Sequence, residues 1–122
     1  MGNIFNAPLR AGDGGEQFRS AMENKILPAL NVFAPDLVII SAGFDAHVRD
    51  PLGSLELVED DFAWVTLKLM EIAETHCEGR VVSILEGGYD LQGLAGGVGV
   101  HLQALMHGSA ILGDDEEINE ED

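Results

Sequence analysis

Apolar residues along the chain alternate between short unbroken runs and longer stripes at helical spacing. The run Leu37, Val38, Ile39 and Ile40, closed by Ser41, Ala42 and Gly43, has the β-branched density of a strand buried on both faces, as in parallel sheets. Residues 80–85, RVVSIL, read as a second buried strand ending in Glu86, Gly87, Gly88, Tyr89 and Asp90. Between the two, Phe62, Val65, Leu69, Ile72 and Ala73 recur on one face, broadened by Trp64 and Leu67. This predicts a helix from about Glu59, with Glu59, Asp60 and Asp61 suiting the positive end of its dipole and Glu78-Gly79 ending it. Strand, helix and strand make a βαβ unit with parallel neighbours and a right-handed crossover.

Upstream, Phe18, Met22, Ile26 and Ala29 or Leu30 predict a helix over about 15–32, with a kink or early end at Pro28. Asp13 stands near its start, and the connection to the strand runs through Ala34, Pro35 and Asp36. Ile4 and Phe5 are the apolar pair of a short strand over residues 3–6 that ends before Pro8. Downstream, Leu94, Val98, Leu102 and Leu105 or Met106 predict a last helix over 91–106, stopped at Gly108. Four glycines inside it (Gly93, Gly96, Gly97, Gly99) lower its intrinsic propensity and imply close packing. The G-x-G at Gly97 to Gly99 lies inside a helix, the wrong context for a dinucleotide fingerprint.

Both strands end in small residues followed by polar ones, so a βαβ unit brings Asp45 and Tyr89 out on one edge of the sheet. In open α/β sheets that edge is where ligands bind. Adjacent strands lie about 5 Å apart, close enough for a carboxylate and a phenol to flank one small ligand. The residues alone leave a second reading open for Asp45, that it caps or turns its loop.

Composition narrows the functions available. The formal net charge is −16, against affinity for nucleic acid, which needs bases to neutralise phosphates. Seven acids fall in residues 113–122; without them 15 acids stand against 6 bases, a net of −9. Such an end buries too little apolar surface to offset its ordering entropy and is expected to be a disordered, solvating tail beyond a domain of residues 1–112. No stretch approaches the about 18 apolar residues that span a bilayer, and the N-terminus has no signal-peptide pattern, so the expected compartment is the cytoplasm. The single Cys77 cannot form an internal disulfide and is expected to be packed rather than reactive.

Asp45-Ala46-His47 offers two metal donors at tight spacing, whereas a zinc site needs about four, three of them from protein when one position is left for water. His76, His101 and His107 lie on or beside helices as surface or helix-end residues. There is no H-E-x-x-H, paired cysteine, G-x-S-x-G or Gly-Lys-Ser/Thr phosphate loop.

The segments from Ser41 to Asp45, Asp50-Pro51-Leu52-Gly53 and Leu85-Glu86-Gly87-Gly88-Tyr89, in that order and spacing, closely resemble the carboxyl-terminal part of the zinc-dependent histone deacetylase and acetylpolyamine amidohydrolase family. The likeness runs over residues 3–108 and covers about the last third of a usual catalytic domain. It implies a parallel-sheet arginase/deacetylase α/β fold, here a partial three-layer α/β/α fragment. By that resemblance Asp45 matches an aspartate ligand of the zinc and Tyr89 the tyrosine that hydrogen-bonds the scissile amide oxygen. Gly87 and Gly88 match the glycines beside a narrow substrate channel, and Leu52 a channel-rim position. Leucine at the rim leans towards an acetylated lysine or related acyl-amide substrate, since amine-specific relatives can carry glutamate there. His47 matches a variable position and is expected to be a bystander.

The family's paired histidines and its other two zinc ligands lie upstream of the matching region. This chain by itself is therefore expected to bind zinc poorly and turn over nothing. It reads as a truncated or split deacetylase that depends on an amino-terminal half or on oligomerisation, and otherwise as a non-catalytic remnant acting as an interaction or structural module.

Overall fold

The computed structural model describes the backbone of residues 2–121 and the side chains of residues 2–108. In chain order it contains α1 (Gly15–Ala21), a π-helical turn (Met22–Ile26), α2 (Leu27–Phe33), β1 (Val38–Ala42), α3 (Glu59–Cys77), β2 (Val81–Leu85) and α4 (Leu91–Glu121). The acidic tail expected over 113–122 lies outside the residues whose side chains are described.

Pro28 does not break the first helical stretch. It has no N–H to donate back one turn, and the wide π turn sits just ahead of it, so the backbone passes the proline and continues to Phe33. Ala34 then turns left-handed (φ 54°), its N–H on the Leu30 carbonyl at 3.0 Å. The strand expected over residues 3–6 does not form, and Ile4 and Phe5 stand exposed. Strand conformation needs a neighbour to satisfy its backbone, and among the described residues the sheet has two strands, β1 and β2, paired with each other.

Those two strands pair in parallel, Val38 with Val81 through Ala42 with Leu85, across the α3 crossover. Parallel partners point to the same side. Val38 and Ala42 are buried beneath the helices, with Ile40 and Val81 packed against the same core. The opposite face is bare: Ile39 is 62%, Val82 47% and Ile84 52% exposed. Burial on both faces, expected from the apolar runs, is thus not realised by either strand. The described helices cover one face, and no described segment covers the other.

The core has two centres. Leu27, Val38, Ile72, Ala73 and Cys77 form one, and Ala42, Phe44, Leu57 and Phe62 the other. Cys77 is buried with its thiol towards the Arg80 carbonyl, a packed thiol as expected. The buried face of α3 is broader than its aliphatic stripe: Asp61, Thr66 and Met70 are buried on it, while Val65 and Leu69 are only partly so. Asp61 lies in the acidic first turn of α3, as expected, and is buried there. It accepts the Val58 N–H (2.9 Å) and the Arg19 Nε–H (3.1 Å), joining α1 to α3.

In α4 the fully buried positions are Gly93, Gly97, His101, Ala104 and Gly108; of the expected aliphatic stripe, Leu94 and Val98 pack partly buried against the core, whereas Leu102 and Met106 are exposed. The glycines explain this. A Cβ on Gly97 would stand 2.6 Å from the Phe44 ring and one on Gly93 3.0 Å from the His47 ring, so the backbone of α4 itself lies against the loop that follows β1. The backbone kinks at His107 (φ −123°, ψ 15°) but does not stop at Gly108 as expected, for the helix continues to Glu121.

Candidate functional site

The two strand ends are stitched together beyond the sheet. Glu86 N–H donates to the Ala42 carbonyl (2.9 Å) and Phe44 N–H to the Gly87 carbonyl (2.8 Å), so the chains leave β1 and β2 still side by side. The first loop then folds back on itself: Leu57 N–H reaches the Ala46 carbonyl and Val48 N–H the Leu57 carbonyl. Its tip, residues 45–53, lies next to residues 86–90.

Asp45 is exposed, and its carboxylate lies over Gly87. A Cβ at Gly87 would sit 2.9 Å from the Asp45 Cγ and Oδ2, and one at Gly43 3.1 Å from Oδ1. A side chain at 87 would therefore displace the Asp45 carboxylate from this position. At Gly88 glycine is favoured by conformation, because φ is +138° and a Cβ would meet Leu94 and Phe44. Tyr89 follows directly and is 58% exposed, and Leu52 is exposed on the other loop. Among the described residues neither the Asp45 carboxylate nor the Tyr89 hydroxyl has a hydrogen-bond or ion-pair partner. The five residues singled out in the sequence thus fall on two adjoining loops, with Asp45 and Gly87 in direct contact.

His47, two residues on, turns the other way. It is buried, its ring stacked on Phe62 (interplanar angle 6°) and its Nε2 paired with Glu59 Oε1. Nδ1 accepts the Arg49 N–H (3.1 Å), which assigns the ring proton to Nε2 facing the glutamate. Both nitrogens are used inside the fold, and neither is free to hold a metal beside Asp45.

Asp50 is not among the candidate residues that the sequence singles out. It is buried at the junction of the two loops, with Oδ1 accepting Leu52 N–H (2.8 Å) and Gly53 N–H (3.0 Å) and Oδ2 accepting Tyr89 N–H (2.8 Å). Burial by itself raises its pKa. The N–H groups of Tyr89, Leu52, Gly53 and Asp90 outweigh that and hold it below the ordinary carboxylate value. An aspartate before Pro-Leu-Gly signals its two local bonds, because Asx turns use the N–H two or three residues on. The bond to Tyr89 spans 39 positions and has no local signal.

His101 corrects a second expectation, for it is neither at the surface nor at a helix end. It is buried in mid-α4, between Thr66 Oγ1 (2.8 Å from Nδ1) and Ser83 Oγ (2.8 Å from Nε2), and edge-on to Phe44. The Thr66 hydroxyl spends its proton on the Phe62 carbonyl (2.7 Å), so His101 donates from Nδ1 and Ser83 donates to Nε2. Burial lowers its pKa and keeps the ring neutral. This hydrogen-bonded chain ties β2, α3 and α4 together.

Chemically the rim offers one anionic oxygen donor and one phenolic hydrogen-bond donor. A group of three or more His, Cys, Asp or Glu side chains able to hold a metal is not found among the described residues. Asp45 suits a metal as a single donor, but the residues present do not close a zinc site. No helix among the described residues is long and apolar enough to cross a membrane.

Comparison with known proteins fits this geometry. Residues 1–105 match the histone deacetylase domain family. Type-2 histone deacetylase 2 of Dictyostelium discoideum is 39% identical over 121 residues, which are 97% of this chain and 7% of that protein. A histone deacetylase-like amidohydrolase of Pseudomonas aeruginosa is 42% identical over 85 residues, 70% of this chain and 22% of that one. The structure of the histone deacetylase Clr3 superposes with a TM-score of 0.76 at 35% identity, over 82% of this chain and 16% of Clr3. The chain spans less than a quarter of the length of each of these relatives.

Proposed function

The chain belongs to the histone deacetylase family, and on that premise we propose that it is the carboxyl-terminal part of a metal-dependent acyl-amide hydrolase that removes acetyl groups from lysine or a related amine. The observation that carries this is the pairing of an unpartnered Asp45 carboxylate, laid over Gly87, with an exposed Tyr89 two residues further on. The fold holds both loops firmly and leaves these two groups unsatisfied, which suits groups kept for a ligand.

In this reading Asp45 is one ligand of a zinc ion whose remaining ligands, with the histidines that handle protons, come from an amino-terminal part. This chain's own contribution lies in its atoms at the rim. The Tyr89 hydroxyl donates a hydrogen bond to the amide oxygen and holds it as negative charge develops there. Gly87 and Gly88 let the acyl group approach the backbone, and the apolar Leu52 at the rim accepts the aliphatic stem of an acyl-lysine in preference to a bare cation. Net acidity is set against nucleic acid, and a reducing compartment such as the cytoplasm suits the lone, buried Cys77.

The bare sheet face supports the need for an amino-terminal part. Ile39, Val82 and Ile84, with Leu37 at the margin, form an apolar surface of the kind that becomes an interior when another layer packs on it. The same face supports a second reading, a non-catalytic module that meets a partner there.

The test grafts this chain onto the amino-terminal part of the Pseudomonas aeruginosa amidohydrolase, in place of the segment it matches, and measures zinc content and acetate released from an acetyl-lysine peptide. The hybrid is expected to be active, with Tyr89→Phe lowering kcat about 100-fold or more and Asp45→Asn lowering bound zinc. Activity that survives both substitutions would sink the assignments. An inactive hybrid, together with an isolated chain that is monomeric and unfolds cooperatively, would favour the second reading.

A further inference from the structure

The Tyr89 side chain makes no hydrogen bond within the described residues. The residue is largely exposed and follows Gly87 and Gly88, the latter at a φ of +138° that favours glycine. Asp90 is occupied elsewhere, capping α4 through the Gly93 N–H (2.8 Å). The side-chain anchor on Tyr89 comes from the other loop, where Asp50 Oδ2 accepts its backbone N–H. The second oxygen of the same carboxylate binds the N–H groups of Leu52 and Gly53, and Gly53 lies so close over the Asp45 carbonyl that a Cβ there would overlap it.

We propose that Asp50 is a positioning residue: its carboxylate clamps the loop that carries Asp45 and Leu52 to the backbone of Tyr89, and so fixes the phenol relative to the carboxylate. This rests on the reading of Asp45 and Tyr89 given above. The chemistry favours an ionised carboxylate here over any neutral group. It alone offers acceptor capacity on both oxygens and no donor, and three N–H groups converge on it. An ordinary turn aspartate would serve Leu52 and Gly53 from the surface; Asp50 is buried because its second oxygen turns inward to Tyr89. An asparagine in its place would keep one acceptor oxygen and present an NH2 to the remaining N–H.

Two measurements test it. In the full 122-residue chain, Asp50→Asn is expected to speed hydrogen exchange at the Tyr89 amide at least about tenfold, while amides of α3 are unchanged and Asp60→Asn, an exposed carboxylate, has no such effect. In the active hybrid, Asp50→Asn is expected to lower kcat about 10- to 100-fold with KM nearly constant. Asp50→Asn combined with Tyr89→Phe is then expected to be no slower than Tyr89→Phe alone, because a residue acting through the tyrosine has nothing left to position. Unchanged Tyr89 exchange in the variant, or additive losses in the double variant, would overturn the proposal. If Tyr89→Phe itself leaves activity intact while Asp50→Asn still frees the Tyr89 amide, the functional reading fails and the clamp stands as a structural fact.

Discussion

The seam between β2, α3 and α4 and the rim beyond the strand ends use polar residues in opposite ways. In the seam, His101 is buried and both ring nitrogens are bonded, through Thr66 and Ser83, to neighbouring elements. At the rim, Asp45 and Tyr89 are exposed and unpartnered, although the backbone beneath them is held by Asp50 and by close glycine contacts. A buried polar group left unbonded costs about 1–3 kcal/mol, so the seam is satisfied throughout, whereas water makes the same omission cheap at the rim. Polarity in the seam is spent on internal hydrogen bonds, and at the rim it is left facing solvent, where the proposed function would use it.

The largest effect that would test this contrast is at Gly97. Its missing Cβ is filled by Phe44, itself enclosed by Phe62 and His101, so Gly97→Ala is expected to lower stability by about 2 kcal/mol in urea unfolding. Gly99, with nothing within 4 Å, provides the control: Gly99→Ala is expected to raise stability by about 0.5–1 kcal/mol. Equal effects at the two positions would show that α4 is not seated closely on the loop after β1.

His101 comes next. Its pKa is depressed in the fold, so its neutral form is favoured there; the stability this gives is full above the unfolded value of about 6.5 and is lost as pH falls towards the folded one. Unfolding midpoints are expected to drop on acidification across that window, and Thr66→Val, which strands the Nδ1–H, is expected to cost about 1–3 kcal/mol at neutral pH. A flat profile together with a harmless Thr66→Val would remove the seam's claim to be a satisfied network. The smallest effect is at the rim. Asp45→Asn is expected to move stability by less than about 0.5 kcal/mol, and a larger loss would mean that Asp45 turns its loop after all.

The βαβ core was readable because it rests on local rules: β-branched runs, an amphipathic period, and glycine at the α3 terminus. The burial of those strands was less readable. An apolar run states what a strand would bury, not whether the covering layer is present, and Ile39, Val82 and Ile84 remain in the open. The expected burial of Leu102 and Met106 failed for a related reason, since Gly93 and Gly97 set the backbone of α4 directly on the loop after β1, with Leu94 and Val98 packed beside it and those two turned outward. The rim divides in the same way. Asp45 and Tyr89 stood out because strand ends concentrate them, and Gly87 and Gly88 through the family resemblance, whereas the bond from Asp50 to Tyr89 joins positions that no spacing relates.

By itself, then, the sequence determined the α/β class, the parallel crossover, the motifs of the histone deacetylase family and the edge on which Asp45 and Tyr89 emerge. Tertiary structure alone decided that His47 turns inward to Glu59, that His101 is buried between three elements, and that one carboxylate at position 50 joins the two loops. The physical reason is range. Strand, helix and turn preferences act over a few residues, whereas the partner that satisfies a buried polar side chain is set by which distant segments the packing brings together.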